Sequence, residues 1–148
     1  PVAEDVVAEI APPRALPSEP TRPLLVAVVE DNEDAAHALQ HFLQQAGHTV
    51  VVAHEGVEGR DLILQRRPDV ALVDVGLPGI DGYAIARAVR GSNGPPVRLV
   101  AVTGYGMPQD RARAYDAGFD DFLIKPVDVT LLESLLREIE PRSRAEAG

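Results

Sequence analysis

Residues 70–79 read Val-Ala-Leu-Val-Asp-Val-Gly-Leu-Pro-Gly, and this stretch decides the fold. An apolar run leads to a single carboxylate, Asp74, which stands just before glycine and proline residues that end regular structure. A continuous apolar run of strand length is typical of a parallel sheet that is covered on both faces. Ligands of such open sheets bind at the carboxyl edge. The stretch therefore predicts a buried strand that presents Asp74 at a functional edge.

Other apolar runs of strand length also end on polar residues. The predicted strands span residues 24–29, 49–53, 69–73, 97–102 and 119–124, and four of them lead to Glu30-Asp31, Asp74, Thr103 and Lys125. Helical patterns separate these runs, so the alternation predicts right-handed crossovers and helices on both faces of a parallel sheet. The expected fold is α/β, a doubly wound, flavodoxin-like sheet of five strands in the order 2-1-3-4-5. In this order strands one and three are neighbours, and strand two is expected to contribute nothing to the site.

The composition indicates a globular domain and excludes cysteine chemistry. The chain has 148 residues, of which 45% are hydrophobic and 25% charged, and it contains no cysteine. The net charge of −9 argues against a nucleic-acid partner, because phosphate binding requires a basic surface. No apolar run approaches the roughly 18 residues of a membrane span. A cytoplasmic location without direct membrane contact is expected.

The ends of the chain differ from its centre. Residues 1–22 are rich in proline, alanine and glutamate, which predicts an extended linker. The globular domain is expected to span residues 23–140, followed by a flexible tail at 141–148. Because the sequence starts at Pro1, we expect it to be part of a longer protein.

Acidic, hydroxyl and ammonium groups at one edge suggest phosphoryl chemistry. Carboxylates that lie close together repel each other unless a cation neutralises them, and Mg²⁺ is a hard ion that binds carboxylates, carbonyl oxygens and water. Lys125 is the single lysine among 14 basic residues, and a compact ammonium suits a small anion. Thr103 supplies a hydroxyl donor. We therefore predict that Asp74 is a nucleophile that forms an acyl phosphate.

Two groups of polar residues have alternative interpretations. The acidic run at residues 30–34 suits either a helix cap with its favourable macrodipole charges or a metal site. His37 and His41 have the spacing of metal ligands, but an exposed polar helix face is the simpler interpretation. Asp69 and Asp81 are expected to cap or anchor loops.

The chain resembles the receiver domain of two-component response regulators from about residue 24 to residue 139. The resemblance rests on the acidic pair Glu30-Asp31, the phosphoacceptor loop Asp-Val-Gly-Leu-Pro-Gly-Ile-Asp-Gly that begins at Asp74, Thr103 in Val-Thr-Gly, and the pair Lys125-Pro126. It implies a phosphoacceptor signalling domain, not an enzyme in the usual sense. The phosphoryl donor would be a phosphohistidine on a histidine kinase or on a histidine phosphotransfer protein.

The same resemblance implies roles for individual residues. It implies that Mg²⁺ is bound by Glu30, Asp31, Asp74 and the backbone carbonyl of Gly76, and that the Lys125–Pro126 peptide is cis. Thr103 and Phe122 would form the coupled switch of such domains. Gly76 has no side chain and Tyr105 is bulky, so we expect that neither orients an attacking water and that the phosphoaspartate is long-lived.

Several contexts and functions are compatible with these residues. The local sequence resembles receivers at the C-terminus of hybrid sensor histidine kinases, and a free-standing single-domain regulator is the alternative; a monomer is expected. A phosphatase of the haloacid dehalogenase type also uses an aspartate and Mg²⁺, but it needs a second aspartate where this chain has Gly76. A flavodoxin-like cofactor binder would need more aromatic residues than the 4% present here.

Overall fold

The computed structural model of the chain describes residues 23–76, 81–104 and 108–141. Its strands are β1 (Leu25–Val29), β2 (Thr49–Ala53), β3 (Val70–Asp74), β4 (Arg98–Thr103) and β5 (Asp121–Ile124). Its helices are α1 (Glu33–Gln45), α2 (Gly56–Arg66), α3 (Gly82–Arg90), α4 (Pro108–Ala117) and α5 (Val129–Arg137). The predicted linker at 1–22 lies outside the described residues, and so does the predicted tail after residue 141.

The five strands form one parallel sheet in the order β2-β1-β3-β4-β5, which confirms the predicted fold. Side chains alternate between the faces. Ala27 and Val29 pack with α2, α3 and α4, whereas Val26 and Val28 pack with α1 and α5. Because both faces are covered, every residue of β1 and β3 is buried. This double burial explains why the strands are continuous apolar runs rather than alternating patterns.

Helix caps resolve the two interpretations of the acidic run at residues 30–34. Asn32 is the N-cap of α1, where its side chain accepts a hydrogen bond of 2.9 Å from the Ala35 amide. Glu33 and Asp34 lie in the first turn of α1, where their charges complement the helix dipole. Glu30 and Asp31 precede the cap and belong to the edge of the sheet. The capping interpretation is therefore confirmed for residues 32–34, and the metal site stays a prediction for Glu30 and Asp31.

Two further expectations for polar residues hold. Asp81 caps α3 by accepting a hydrogen bond of 2.8 Å from Ala84, and Asp69 accepts one of 2.7 Å from the Leu25 amide. His37 and His41 are exposed on α1. None of the helices in the described ranges has both the length and the apolar character that a membrane crossing requires.

The strand boundaries differ from the predicted ones by one or two residues. β3 was expected to end at Val73, but Asp74 still pairs with Val102 of β4. In the same way Thr103 belongs to β4 and pairs with Ile124 of β5. The main chain of Asp74 and of Thr103 is thus part of the ladder. Their backbones are fixed by the sheet and not by a loop.

Candidate functional site

The site lies at the carboxyl edge of the sheet, where four strands end. Glu30 follows β1, Asp74 and Thr103 close β3 and β4, and Lys125 follows β5. One carboxylate oxygen each from Glu30, Asp31 and Asp74 lie within 4.8 Å of one another. The sequence predicted that these acids meet because β1 and β3 are neighbours, and the structure confirms this.

Lys125 bridges two of the three carboxylates. Its ammonium nitrogen lies 2.9 Å from Oε1 of Glu30 and 2.9 Å from Oδ2 of Asp74. Both carboxylates are buried, whereas the Lys125 side chain is one-third exposed. The expected placement of lysine beside Asp74 is therefore confirmed. With Asp31 included, the cluster of three acids and one base has a formal charge of −2.

Main-chain amides orient the two buried carboxylates. The Gly76 amide donates a hydrogen bond of 2.8 Å to Oδ1 of Asp74, and the Asn32 amide donates one of 3.1 Å to Oε2 of Glu30. Each Asp74 oxygen consequently has its own donor, Gly76 on one side and Lys125 on the other. An added Cβ on Gly76 would lie 3.5 Å from Oδ1 of Asp74, so the glycine leaves open the space beside this oxygen.

The pKa shifts show how strongly the charges interact. Burial raises the pKa of Glu30 above its usual range; hydrogen bonds from Lys125 and Asn32 offset part of this rise, and the charge of Asp74 adds to it. Burial acts to lower the pKa of Lys125, but the hydrogen bonds to Glu30 and Asp74 outweigh it and raise the pKa above that of a free lysine. The pKa of Glu30 thus stays raised by burial although the Lys125 ammonium is its neighbour.

The donor set suits a magnesium ion. All ligand atoms of the acidic cluster are carboxylate oxygens, which Mg²⁺ prefers, and the Asp31 carboxylate lies exposed at the mouth of the site. A divalent cation would also offset the charge of Asp74, which adds to the rise that burial causes in the pKa of Glu30. The residues present thus fit the predicted cation.

The two predicted switch residues occupy the adjacent strands. Thr103 is buried at the end of β4, and its carbonyl accepts a hydrogen bond of 2.7 Å from the Lys125 amide. Phe122 is buried in β5, with the guanidinium carbon of Arg111 5.1 Å from its ring centroid. The Lys125–Pro126 peptide is cis, as the resemblance implied. Tyr105, expected to influence phosphate lifetime, lies outside the described residues.

Sequence reasoning missed a contact from β2. The expectation was that this outer strand contributes nothing, but Nδ1 of His54, the residue after β2, lies 3.1 Å from the carbonyl oxygen of Glu30. The Glu30 amide also donates a hydrogen bond of 3.0 Å to the carbonyl of Ala53. A histidine placed directly after a strand that neighbours the acidic pair was the available signal.

Known sequences are similar to most of this chain. The profile of the response regulator receiver domain matches residues 26–137. Response regulator MprA of Mycobacterium tuberculosis is 34% identical over 126 residues, which cover 82% of this chain and 54% of the relative. The chain therefore spans about half the length of the curated relatives that it matches.

Solved structures show the same architecture. A putative response regulator from Chloroflexus aurantiacus is 30% identical with a TM-score of 0.68, covering 78% of this chain and 98% of that one. The receiver domain of a sensor histidine kinase from Pseudomonas aeruginosa, which holds a magnesium ion in its active site cleft, is 29% identical. Its TM-score is 0.72, and the match covers 79% of this chain and 97% of that domain.

Proposed function

The chain belongs to the response regulator receiver domain family of two-component signalling, and from this premise we propose that Asp74 accepts a phosphoryl group from a phosphohistidine. The observation that carries the proposal is the geometry around Asp74. Its carboxylate is buried and oriented by the Gly76 amide, and the Lys125 ammonium lies 2.9 Å from its second oxygen. A fixed nucleophile beside a fixed positive charge is what phosphoryl transfer requires.

In the proposed step, an Asp74 oxygen attacks the phosphorus atom and the phosphorus–nitrogen bond of the phosphohistidine breaks. The electron pair returns to the imidazole nitrogen, and Asp74 becomes an acyl phosphate. Lys125 neutralises charge on the transferring group, and the Thr103 hydroxyl donates a hydrogen bond to it. The hydroxyl movement and Phe122 would then pass the change to the surface of the domain.

Mg²⁺ would be bound by Glu30, Asp31, Asp74 and the carbonyl of Gly76. When bound, it neutralises the carboxylates and the incoming phosphoryl oxygens. Support for this cofactor comes from the three convergent carboxylates. The magnesium-containing receiver domain from Pseudomonas aeruginosa, with 29% identity, adds support by similarity.

The partner in this proposal is a histidine kinase or a histidine phosphotransfer protein. The domain would span residues 23–140, with the linker before it and the tail after it. Solved receivers from sensor histidine kinases with 29% identity favour the hybrid-kinase context. The alternative is a response regulator, either free-standing or with further regions, and it is favoured by the 34% identity to relatives that are about twice as long as the matched segment.

The test is labelling of the chain with acetyl phosphate and Mg²⁺, followed by intact mass measurement. We expect the wild type to gain one phosphoryl group and Asp74→Asn to gain none, because an amide is not a nucleophile. Asp81→Asn is the matched control, since this acid also follows β3 and asparagine caps helices as well as aspartate. Labelling that persists in Asp74→Asn would contradict the assignment, and turnover of a generic phosphate ester would favour the phosphatase alternative.

A further inference from the structure

We infer that His54 positions the acidic pair, and with it the Mg²⁺ ligands, through a hydrogen bond to the main chain. The inference rests on the proposed function, because it concerns the same metal site. His54 directly follows β2, and its Nδ1 lies 3.1 Å from the carbonyl oxygen of Glu30. The neighbouring Ala53 also binds this segment, because its carbonyl accepts a hydrogen bond from the Glu30 amide.

The chemistry of the contact fixes the state of the imidazole. A carbonyl oxygen only accepts hydrogen bonds, so Nδ1 of His54 must carry the proton and donate. The contact is therefore a hydrogen bond from an imidazole N–H, and Nε2 is the nitrogen with the lone pair in the neutral ring.

The hydrogen bond from His54 takes the place of a main-chain hydrogen bond between β1 and β2. β1 and β2 are paired up to Val29 and Ala53, and the ladder ends when the Glu30 amide donates to the Ala53 carbonyl. After Ala53 the chain bends toward α2. The described main chain after β2 therefore donates no amide hydrogen bond to the Glu30 carbonyl. The side chain of His54 provides that donor instead.

Asp31 is the ligand that depends on this support. Glu30 and Asp74 are held by Lys125 and by main-chain amides that contact their carboxylates. The Asp31 carboxylate is exposed, and no hydrogen-bond partner for it exists among the described residues. Its position is therefore set by the peptide that joins it to Glu30. His54 holds the carbonyl of that peptide, so it controls the direction in which the Asp31 side chain leaves the main chain.

The test compares two variants of His54 with similar size and different donors. Asparagine places an amide N–H where the Nδ1–H of histidine lies, whereas leucine has no donor. We expect His54→Leu to raise the dissociation constant for Mg²⁺, measured by calorimetry, about three- to tenfold, and His54→Asn to restore most of the affinity. Labelling by acetyl phosphate should slow by a similar factor at low Mg²⁺ and should equal the wild-type rate at saturating Mg²⁺.

A spectroscopic measurement tests the geometry without any metal. We expect ¹⁵N-detected spectra of the metal-free chain to show the Nδ1–H tautomer for His54. For the Mg²⁺ titration, the matched control is His41→Leu. His41 is exposed on α1, so we expect this variant to bind Mg²⁺ like the wild type.

The outcomes separate this inference from the proposed function. Failure of the wild type to be labelled or to bind Mg²⁺ would overturn the proposed function and the inference with it. A wild type that is labelled, together with an unchanged Mg²⁺ affinity in His54→Leu, would overturn only the inference. An Nε2–H tautomer would also overturn it, and so would an asparagine variant as weak as the leucine variant.

Discussion

At the amino edge of the sheet, polar side chains accept hydrogen bonds from the ends of neighbouring strands. At the carboxyl edge, three carboxylates lie close together and one ammonium contacts two of them. The bonds at the amino edge are Leu24 N to His48 Nδ1 at 3.1 Å, Leu25 N to Asp69 Oδ2 at 2.7 Å and Leu99 N to Asp120 Oδ2 at 2.9 Å. These contacts satisfy amides that the ladder leaves unpaired, so they stabilise the strand ends.

Two arginines at the amino edge also contact acids. Arg90 contacts Asp120 at 2.6 Å, and Arg98 binds Asp121 with two hydrogen bonds of 2.7 and 3.2 Å. At the carboxyl edge, in the part of the chain that the structure describes, Lys125 contacts Glu30 and Asp74, and Asp31 has no basic partner. The difference shows that paired charges stabilise one edge of this sheet, whereas the other edge keeps an excess of negative charge that suits a cation.

The comparison predicts that Lys125→Arg affects chemistry far more than stability. The guanidinium is wider and cannot take the position between Glu30 and Asp74, so we expect acetyl phosphate labelling to fall about 100-fold, as for other lost transition-state donors. The free energy of unfolding, measured in urea, should change by less than about 1 kcal/mol, because the positive charge remains. A large loss of unfolding free energy in this variant would contradict the comparison, because Lys125 would then stabilise the fold as the residues of the amino edge do.

Asp69→Ala should lower the stability of the domain and leave the labelling rate unchanged. The buried amide of Leu25 would lose its acceptor, which costs about 1–3 kcal/mol of unfolding free energy. The labelling rate per folded molecule should stay at the wild-type value, because Asp69 lies at the far edge of the sheet. Asp61→Ala on the exposed face of α2 provides the control for a simple loss of charge. A slowed labelling rate in the Asp69 variant would show that the edges are coupled.

Gly76→Asn tests the open space beside the phosphoacceptor. A side chain at this position begins 3.5 Å from Oδ1 of Asp74, and its amide would be able to orient an attacking water. We expect hydrolysis of the phosphoaspartate, followed by mass measurement over time, to accelerate about tenfold. Gly76→Ala adds the carbon without the amide and should not accelerate it. A wild-type half-time of seconds in Mg²⁺ would contradict the expected long-lived phosphoaspartate.

His48 gives the smallest expected effect, a pH dependence of stability at the amino edge. Burial lowers the pKa of His48, and its Nδ1 accepts a hydrogen bond from the Leu24 amide, which a protonated ring cannot do. The unfolded chain therefore takes up this proton at a higher pH than the folded chain. The contribution of neutral His48 is complete above the unfolded pKa of about 6.5 and is lost as the pH falls toward the lower folded value.

The measurement is urea unfolding of the wild type and of His48→Asn at pH 7.5 and 5.5. We expect the wild type to lose about 1 kcal/mol more than the variant between these values. Comparison with the variant is needed because Glu30 acts in the other direction: its raised pKa means that the folded chain binds this proton more readily, which favours folding as the pH falls. If the free energy of unfolding depends on pH in the same way in both proteins, His48 does not contribute to the pH dependence.

The strands and their common functional edge were predictable from apolar runs that alternate with helical patterns along the chain. Each apolar run identified its strand, and the strand order of the doubly wound fold placed Glu30, Asp74 and Lys125 at one edge. The ends of β3 and β4 were not predicted, because apolar patterning does not show that Asp74 and Thr103 still pair with Val102 and Ile124.

The sequence by itself determined the fold class, the edge that carries the chemistry and the residue types that gather there. Burial periodicity and chain connectivity are local properties, and they suffice for these conclusions. Only the tertiary structure shows that Lys125 bridges two carboxylates, that the Glu30 carboxyl has a raised pKa and that His54 lies within hydrogen-bond distance of the Glu30 carbonyl. Those features depend on distances between side chains from different strands, and such distances arise only when the strands pack side by side.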